Sequence, residues 1–362
     1  MTARPMLKGI MVHRGEGQVV LWPRALRRMY LQDHDGSLAV LLGLLAEARP
    51  RHELRAALAE HGFDVSDEQL AAVLTSLDEM GVLLDADGDD ALDEATRERH
   101  QSNLRFYDLF AGLERTSASM HAAAQRSRVL LLGAGGIGTG ILQSLVGLGV
   151  GQVTVVDQDR VETKNLARQF VYGLAEVGRP KVYAAQDWAK AYSAGTSVVP
   201  VHARVTDVAT VLELGADADI VVCAIDSPED IRLIVNEACF ALGVPFVAGG
   251  LNYSTLSYWS VEPGRSPCWQ CLALHRTAEA AALPEVLRQD AYLAPPSVNR
   301  ATGPMAQLMC GLMTMEIMRY LTRSDPPVAA ATYQVIEVAD RLAMSSAAWQ
   351  RHPDCPMCGA VR

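Results

Sequence analysis

Leu130-Leu131-Leu132-Gly133-Ala134-Gly135-Gly136-Ile137-Gly138 carries more architectural information than any other stretch of the chain. The leucines read as a buried strand, and the glycines behind them permit a tight turn whose N–H groups approach a phosphate at a helix N-terminus. Asp157 closes the next apolar run, Val153–Val156, about 20 residues on, where a carboxylate can accept from ribose hydroxyls. Up to this point a dehydrogenase fits as well as an ATP site. Working outward, Val129–Leu132, Val153–Val156, Ser197–Val205, Ile220–Ala224 and Phe246–Ala248 alternate with helical stretches. That alternation predicts an α/β fold with a Rossmann-like open, mainly parallel sheet. Thr255–Val261 and Thr332–Val338 predict a more antiparallel C-terminal part.

The residues behind Asp157 separate the two nucleotide readings. Asp159, Asn165, Arg168 and Gln169 follow closely, and Lys181 comes after Gly178-Arg179-Pro180. Hydride transfer has no use for two cations and two amides there, whereas a triphosphate does. Arg168 can bridge phosphate oxygens with its fork, and Lys181 adds a compact charge. Asp226 follows the run Val221–Ile225, at the carboxyl end of a strand, where ligands gather in open α/β sheets. Beside a triphosphate it would hold Mg2+; its alternative role is the N-cap of the next helix.

This set, from Arg128 to about Gly250, resembles the ThiF/MoeB adenylyltransferases, relatives of ubiquitin-activating enzymes. The resemblance implies ATP·Mg2+ binding. Gly133, Gly135, Gly136 and Gly138 would meet the phosphates, Asp157 the ribose, Arg168 and Lys181 the polyphosphate, and Asp226 the metal. Asp159, Asn165 and Gln169 complete the candidate cofactor site, and Arg168, Lys181 and Asp226 are the candidate catalytic residues. The implied reaction is adenylation of a peptide C-terminal carboxylate, with a homodimer as the implied assembly. Relatives that form a thioester use a cysteine in a mobile loop; Thr277–Thr302 reads as that loop, and between Leu272 and Met309 there is no cysteine. The chemistry is therefore expected to end at, or proceed directly from, the acyl-adenylate. The family often places an arginine near the position of Ser102 that reaches a partner's ATP site; Arg99 and Arg105 are the candidates to replace it.

Cys268-Trp269-Gln270-Cys271 and Cys355-Pro356-Met357-Cys358 form two C-x-x-C knuckles. Four thiolates make a closed tetrahedral zinc site of structural type. The rival reading is a redox dithiol, and the resemblance favours zinc. Cys223, Cys239 and Cys310 sit in apolar sequence and read as core thiols, as do Met305, Met309, Leu312, Met313 and Met315 as core residues of a helix over Gly303–Leu321.

The first 90 residues are of another kind. Val19–Trp22 reads as a strand; helices are expected over Ser37–Ala48, Arg51–His61 and Ser66–Met80, the last opened by a Ser66/Gln69 capping box; Val82–Leu84 is a second strand. Acidic Asp85–Glu94 reads as a linker, followed by one long helix over Asp93–Gln125. The pattern is that of a small winged-helix module. The expected division is a module over 1–90, a linker and helical lead-in over 91–127, and an adenylating domain over 128–362. The alternative for such a module is a DNA-binding winged helix, but the third helix carries Asp67, Glu68, Asp78 and Glu79 and neither Lys nor Arg, which argues against a phosphate-facing role. The module resembles PqqD-like recognition modules, which implies leader binding by strand addition around Val19–Trp22 and packing on Ser66–Met80.

A net charge of −10 over 362 residues argues against a nucleic-acid partner. The apolar runs are too short to span a membrane and the first residues lack a secretion signal, so the expected setting is cytoplasmic. The expected function is adenylation of a carboxylate on a ribosomally made precursor peptide bound through its leader, as in microcin C-type pathways, for capture by nitrogen or for cyclisation. The alternatives are a leader-binding partner protein that serves a separate azole-forming cyclodehydratase, and adenylation of a sulfur-carrier protein C-terminus.

Overall fold

A computed structural model describes residues 4–24, 26–283 and 301–359. The chain forms two compact units, Met1–Ala123 and Ala124–Arg362.

In the C-terminal unit, β6 (Arg128–Leu132), β7 (Gln152–Val156), β8 (Ser197–Val201), β9 (Ile220–Cys223) and β10 (Phe246–Asn252) are parallel neighbours. β11 (Thr255–Val261), β12 (Thr332–Glu337) and β13 (Ala343–Ala348) extend the sheet antiparallel. The eight strands run in the order β13-β12-β11-β10-β9-β6-β7-β8. Successive residues of β6 feed opposite cores: Val129 and Leu131 pack in one cluster, Leu130 and Leu132 in the other. A strand buried on both faces needs this unbroken apolar run. The chain leaves β6 toward β7 on one side and returns to β9 on the other, so the strand order reverses between β6 and β9. Open α/β sheets bind ligands at such a crevice.

Helices α7 (Gly136–Leu148), α8 (Lys181–Tyr192), α9 (Val208–Gly215), α10 (Ile231–Leu242), α11 (Trp269–Ala282) and α12 (Gly303–Thr322) complete the unit. α12 lies close along α7: a Cβ on Gly140 would stand 2.4 Å from Cys310 Sγ. Met309, Met313 and Cys310 are buried there, but Met315 is 36% exposed, so the helix is apolar beyond its core face. β8 ends at Val201, short of Val205, and β13 was not anticipated because Ala-Met-Ser-Ser-Ala-Ala carries no strand alternation. Most of the expected loop Thr277–Thr302 falls on 284–300, outside the described residues; its first residues continue α11.

In the N-terminal unit, β2 (Met11–Gly15), β3 (Gln18–Arg24) and β4 (Arg27–Gln32) form an antiparallel sheet in that order. Three helices follow, α1 (Ser37–Leu44), α2 (Arg51–Glu60) and α3 (Asp67–Glu79), and β1 (Pro5–Leu7) pairs with β5 (Leu83–Asp85). The Ser66/Gln69 capping box opens α3, and Gly62 and Gly81 at φ 89° and 75° end α2 and α3. α1 stops before Ala48 because the Leu7 amide donates to Leu45 O at 2.7 Å. Val19–Trp22 lies in the central strand β3, whose two edges are taken by β2 and β4, so it cannot accept an added strand.

The acidic stretch Asp85–Glu94 is folded down rather than free: the Arg4 amide donates to Asp85 and the Arg4 guanidinium pairs with Asp87 at 3.1 Å. The single helix expected over Asp93–Gln125 is three, α4 (Glu94–Arg99), α5 (Gln101–Tyr107) and α6 (Ser117–Arg126). His100 leaves helical geometry at φ −104°, ψ 15°, and the turn at Gly112–Leu113 is held by Asp78, which accepts from the Leu113 amide.

His121, fully buried on α6, has no hydrogen-bond partner for either ring nitrogen among the described residues, and its ring lies 4.3 Å from that of His100, tilted at 43°. Burial, then the neighbouring His100, pushes its pKa down to about 4. An unfolded chain would bind this proton near pH 6.5, so below that pH the unfolded state takes up more protons than the folded one. Stability is therefore expected to be complete above pH 6.5 and to fall between pH 6.5 and 4, by roughly 2–4 kcal/mol from this residue. Urea titrations of wild type and His121→Phe across that range check it: the variant should lose the slope.

Candidate functional site

The crevice opens into a cavity of about 830 Å³ within the C-terminal unit, walled by the Gly133–Ile137 turn, the ends of β7 and β9, the Glu162–Gln169 segment and the end of β10. The turn's geometry demands its glycines. Gly133 has φ 108°, and a Cβ there would meet Ala224 O at 2.7 Å. A Cβ on Gly138 would lie 1.9 Å from Gly133 O, whereas at Gly135, the N-cap of α7, it would meet nothing within 4 Å. The first two glycines serve the fold, and the third leaves ligand space over a helix N-terminus that no side chain caps. Gly138→Ala is accordingly expected to disrupt the turn: a lower melting temperature in a thermal scan and loss of ATP binding by calorimetry.

The Ala134 peptide is held from both sides. Its N–H donates to Asp157 Oδ2 at 2.7 Å and its carbonyl accepts from the Tyr172 hydroxyl at 3.0 Å. Burial, with the charges of Asp157 and Asp159, raises the Tyr172 pKa and keeps that donor protonated. Asp157 Oδ1 accepts from the Asp159 amide. Asp157 thus organises the turn, with carboxylate lone pairs remaining for a ligand hydroxyl.

Lys181 opens α8, almost fully buried, with Nζ 2.8 Å from the half-exposed Asp159 carboxylate. Arg168 lies with its stem over the turn, where a Cβ on Gly136 would touch its Cγ at 3.3 Å, and has no ion-pair partner among the described residues. Asn165 is buried; its Oδ1 accepts from the Glu162 amide, which leaves the NH2 end to donate into the cavity. Gln169 is also buried, and the Oε1 end of its amide has no partner. Asp226 projects from the end of β9 and is exposed at the cavity. It is not a helix cap: α10 begins at Ile231 with Asp230 as N-cap. The crevice thus brings together all the candidate cofactor residues except Gly138, which sits behind the turn. Sequence reading missed Tyr172, three residues after Gln169, and Arg232, whose position on the first turn of the helix after Asp226 was the available signal.

The second constellation is the four cysteines. Cys268 caps α11 and Cys271 lies in its first turn; Cys355 and Cys358 come from the last turns of the chain. All four are buried with ligand atoms within 4.8 Å of one another, and none forms a disulfide. Four Sγ···Sγ separations are 3.8, 3.4, 3.2 and 3.9 Å. A Zn–S length of about 2.3 Å implies tetrahedral edges of about 3.8 Å, so the donor set fits zinc. Burial pushes the Cys268 and Cys271 thiols up. Outer contacts fix the knuckles: Trp349 Nε1 donates to Cys268 O, and buried Asn236 accepts from the Trp269 amide.

A family model described as the ThiF family matches residues 108–357. The sulfur carrier protein adenylyltransferase of Thermus thermophilus is 31% identical over 242 residues, 65% of this chain and 83% of that protein. The molybdopterin-synthase adenylyltransferase of Escherichia coli is 29% identical over 268 residues, 74% of this chain and 97% of that protein. Among solved structures, E. coli MccB with ATP superposes with a TM-score of 0.74 at 16% identity, covering 98% of this chain and 99% of that one. This last likeness is one of fold.

Proposed function

The chain belongs to the ThiF family and is an ATP-dependent adenylyltransferase, and on that premise we propose that it activates a carboxylate of a ribosomally made precursor peptide held through its leader. The observation that carries the reading is the N-terminal unit. Residues before 108 lie outside the family match, yet the fold likeness to MccB, whose structures include complexes with MccA, extends over 98% of the chain. That unit has an apolar groove of about 670 Å³ between the end of β4 and α3, walled by Leu31, Leu38, Leu70 and Val73. β4 is an edge strand. A leader can add to β4 and set apolar side chains against α3, which moves strand addition from β3 to its neighbour.

In the C-terminal unit the Gly135–Gly136 turn, Arg168, Lys181, Asn165 and Gln169 would bind the triphosphate, and Asp157 the ribose. Asp226 would hold Mg2+, whose charge helps to neutralise the phosphates; one exposed carboxylate beside phosphate oxygens suits that ion. The substrate carboxylate attacks the α-phosphorus and pyrophosphate leaves, so catalysis is mainly positioning and charge stabilisation. The four cysteines would hold a structural zinc. Exposed Phe170, Leu174 and Val177 suit a homodimer contact. In the N-terminal unit the Arg105 fork is engaged by Asp108 at 2.8 Å and Asp89 at 3.4 Å. No helix among the described residues is long and apolar enough to cross a membrane, and seven free cysteines suit the cytoplasm. The sulfur-carrier reading keeps the support of the named relatives, but it gives the N-terminal groove no role.

The test is fluorescence anisotropy with a labelled candidate leader on the full chain. Val73→Asp should abolish leader binding while ATP binding stays intact. Unchanged leader binding by the variant would refute the groove.

A further inference from the structure

Four cations wall the ATP cavity, and two of them are already paired: Lys181 with Asp159 at 2.8 Å and Lys164 with Glu162 at 2.7 Å. Arg168 and Arg232 have no ion-pair partner among the described residues. Arg168 lies over the glycine turn, on the phosphate side. Arg232 stands elsewhere, on the first turn of α10, where a Cβ on Gly250 would lie 3.5 Å from its Nη2. Leu251 and Tyr253, next after Gly250 in the chain, also line the cavity.

The Arg232 guanidinium is mounted on a rigid support. It stacks on Trp259, 5.6 Å from the ring centroid. Trp259 is 1% exposed and packs against both Trp269, at 4.3 Å, and Tyr333, at 4.9 Å, with the ring planes nearly parallel. Trp269 is one of the two residues between the first pair of metal-type cysteines, Cys268 and Cys271. Cysteine knuckle, aromatic cluster and guanidinium therefore pack in succession, and the guanidinium end lines the cavity.

Adenylation must bring a carboxylate against a polyanion. Two like unit charges 4 Å apart repel by about 4 kcal/mol at an effective dielectric constant of 20, so a cation is needed on the carboxylate side as well as on the phosphate side. We propose that Arg232 is that cation: it binds one oxygen of the acyl substrate's carboxylate and brings the other onto the α-phosphorus. The free oxygen forms the new P–O bond, the bond to the α–β bridging oxygen breaks, and pyrophosphate departs with the electron pair; no proton moves. The carboxylate loses its charge in the product, so the contact is strongest before reaction and is read mainly in the KM of the carboxylate substrate.

The proposal rests on the adenylation reading but not on which carboxylate is activated. Wild-type ATP–pyrophosphate exchange is measured first with a candidate precursor peptide and with a sulfur carrier protein, and Arg232 variants are then assayed with whichever supports it. That first comparison decides the peptide reading separately. Arg232→Ala and Arg232→Gln, the second keeping a planar group over Trp259, should raise the KM of the carboxylate substrate roughly 10- to 100-fold. The KM for ATP should stay within about twofold, and Arg232→Lys should recover part of the loss. The substrate with its reacting carboxylate converted to the amide, tested as an inhibitor, should bind wild type worse than the acid and bind Arg232→Gln equally well. If the Gln variant keeps wild-type discrimination between acid and amide, or if its defect lies in the KM for ATP, the proposal is wrong.

Discussion

Arg168→Ala is expected to lower the rate of ATP–pyrophosphate exchange by about 10²–10³-fold while leaving the melting temperature nearly unchanged. Both halves follow from the site. The guanidinium spends no interaction on the folded protein: among the described residues it has no carboxylate partner, and its stem rests on Gly136, whose missing Cβ makes room for it. Its removal deletes a fork that would meet phosphate oxygens as charge moves onto the leaving pyrophosphate, where a preorganised cation contributes most. Lys181→Ala makes an informative contrast. It also removes a phosphate-side cation, but frees the half-exposed Asp159 carboxylate. Because the Lys181 side of that pair is almost fully buried, its loss should cost stability as well, about 1–3 kcal/mol. Exchange assays beside differential scanning calorimetry on both variants check the pair of expectations. A large drop in melting temperature for Arg168→Ala would mean that the residue is structural.

The second large effect is expected at the cysteines. Cys271→Ser removes one of four converging thiols and should lower stability by roughly 4 kcal/mol or more, since structural zinc contributes its binding energy directly to folding. For a unit of this size that is a fall of about 10 °C or more in melting temperature. The damage should also travel. Trp269, which follows Cys268 in the same knuckle as Cys271, packs on Trp259, and Trp259 lies under Arg232; the KM of the carboxylate substrate should therefore rise before that of ATP as the metal is removed by a chelator. Metal analysis of the reduced protein should find one zinc per chain in wild type and less in Cys271→Ser. Wild type without zinc would remove the four-thiolate site.

The degree to which sequence anticipates structure differs sharply between regions, for physical reasons. The β6–α7 turn was legible because its determinants are local: a strand buried on both faces is a continuous apolar run, and a turn that admits no Cβ at Gly133 and Gly138 must be written in glycine. Asp226 was legible because β9 delivers it to the same crevice edge as that turn. Arg232 was not, because what distinguishes it is a ring supplied by β11 and the empty Cβ position of Gly250, neither of which is near in sequence. In the N-terminal unit, helix periodicity and the Ser66/Gln69 box located α1 to α3, but the order of strands is a tertiary fact. Only pairing shows that Val19–Trp22 is central and that β4 is the open edge. The break at His100 likewise has no glycine or proline to announce it.

The central claim, that this adenylyltransferase acts on a leader-bearing peptide, is tested most directly by ATP–pyrophosphate exchange with a candidate precursor peptide, the same peptide without its leader, and a sulfur carrier protein. Exchange is expected with the full precursor, strongly reduced without the leader, and absent with the carrier. Exchange driven by the carrier protein and not by the precursor would contradict it.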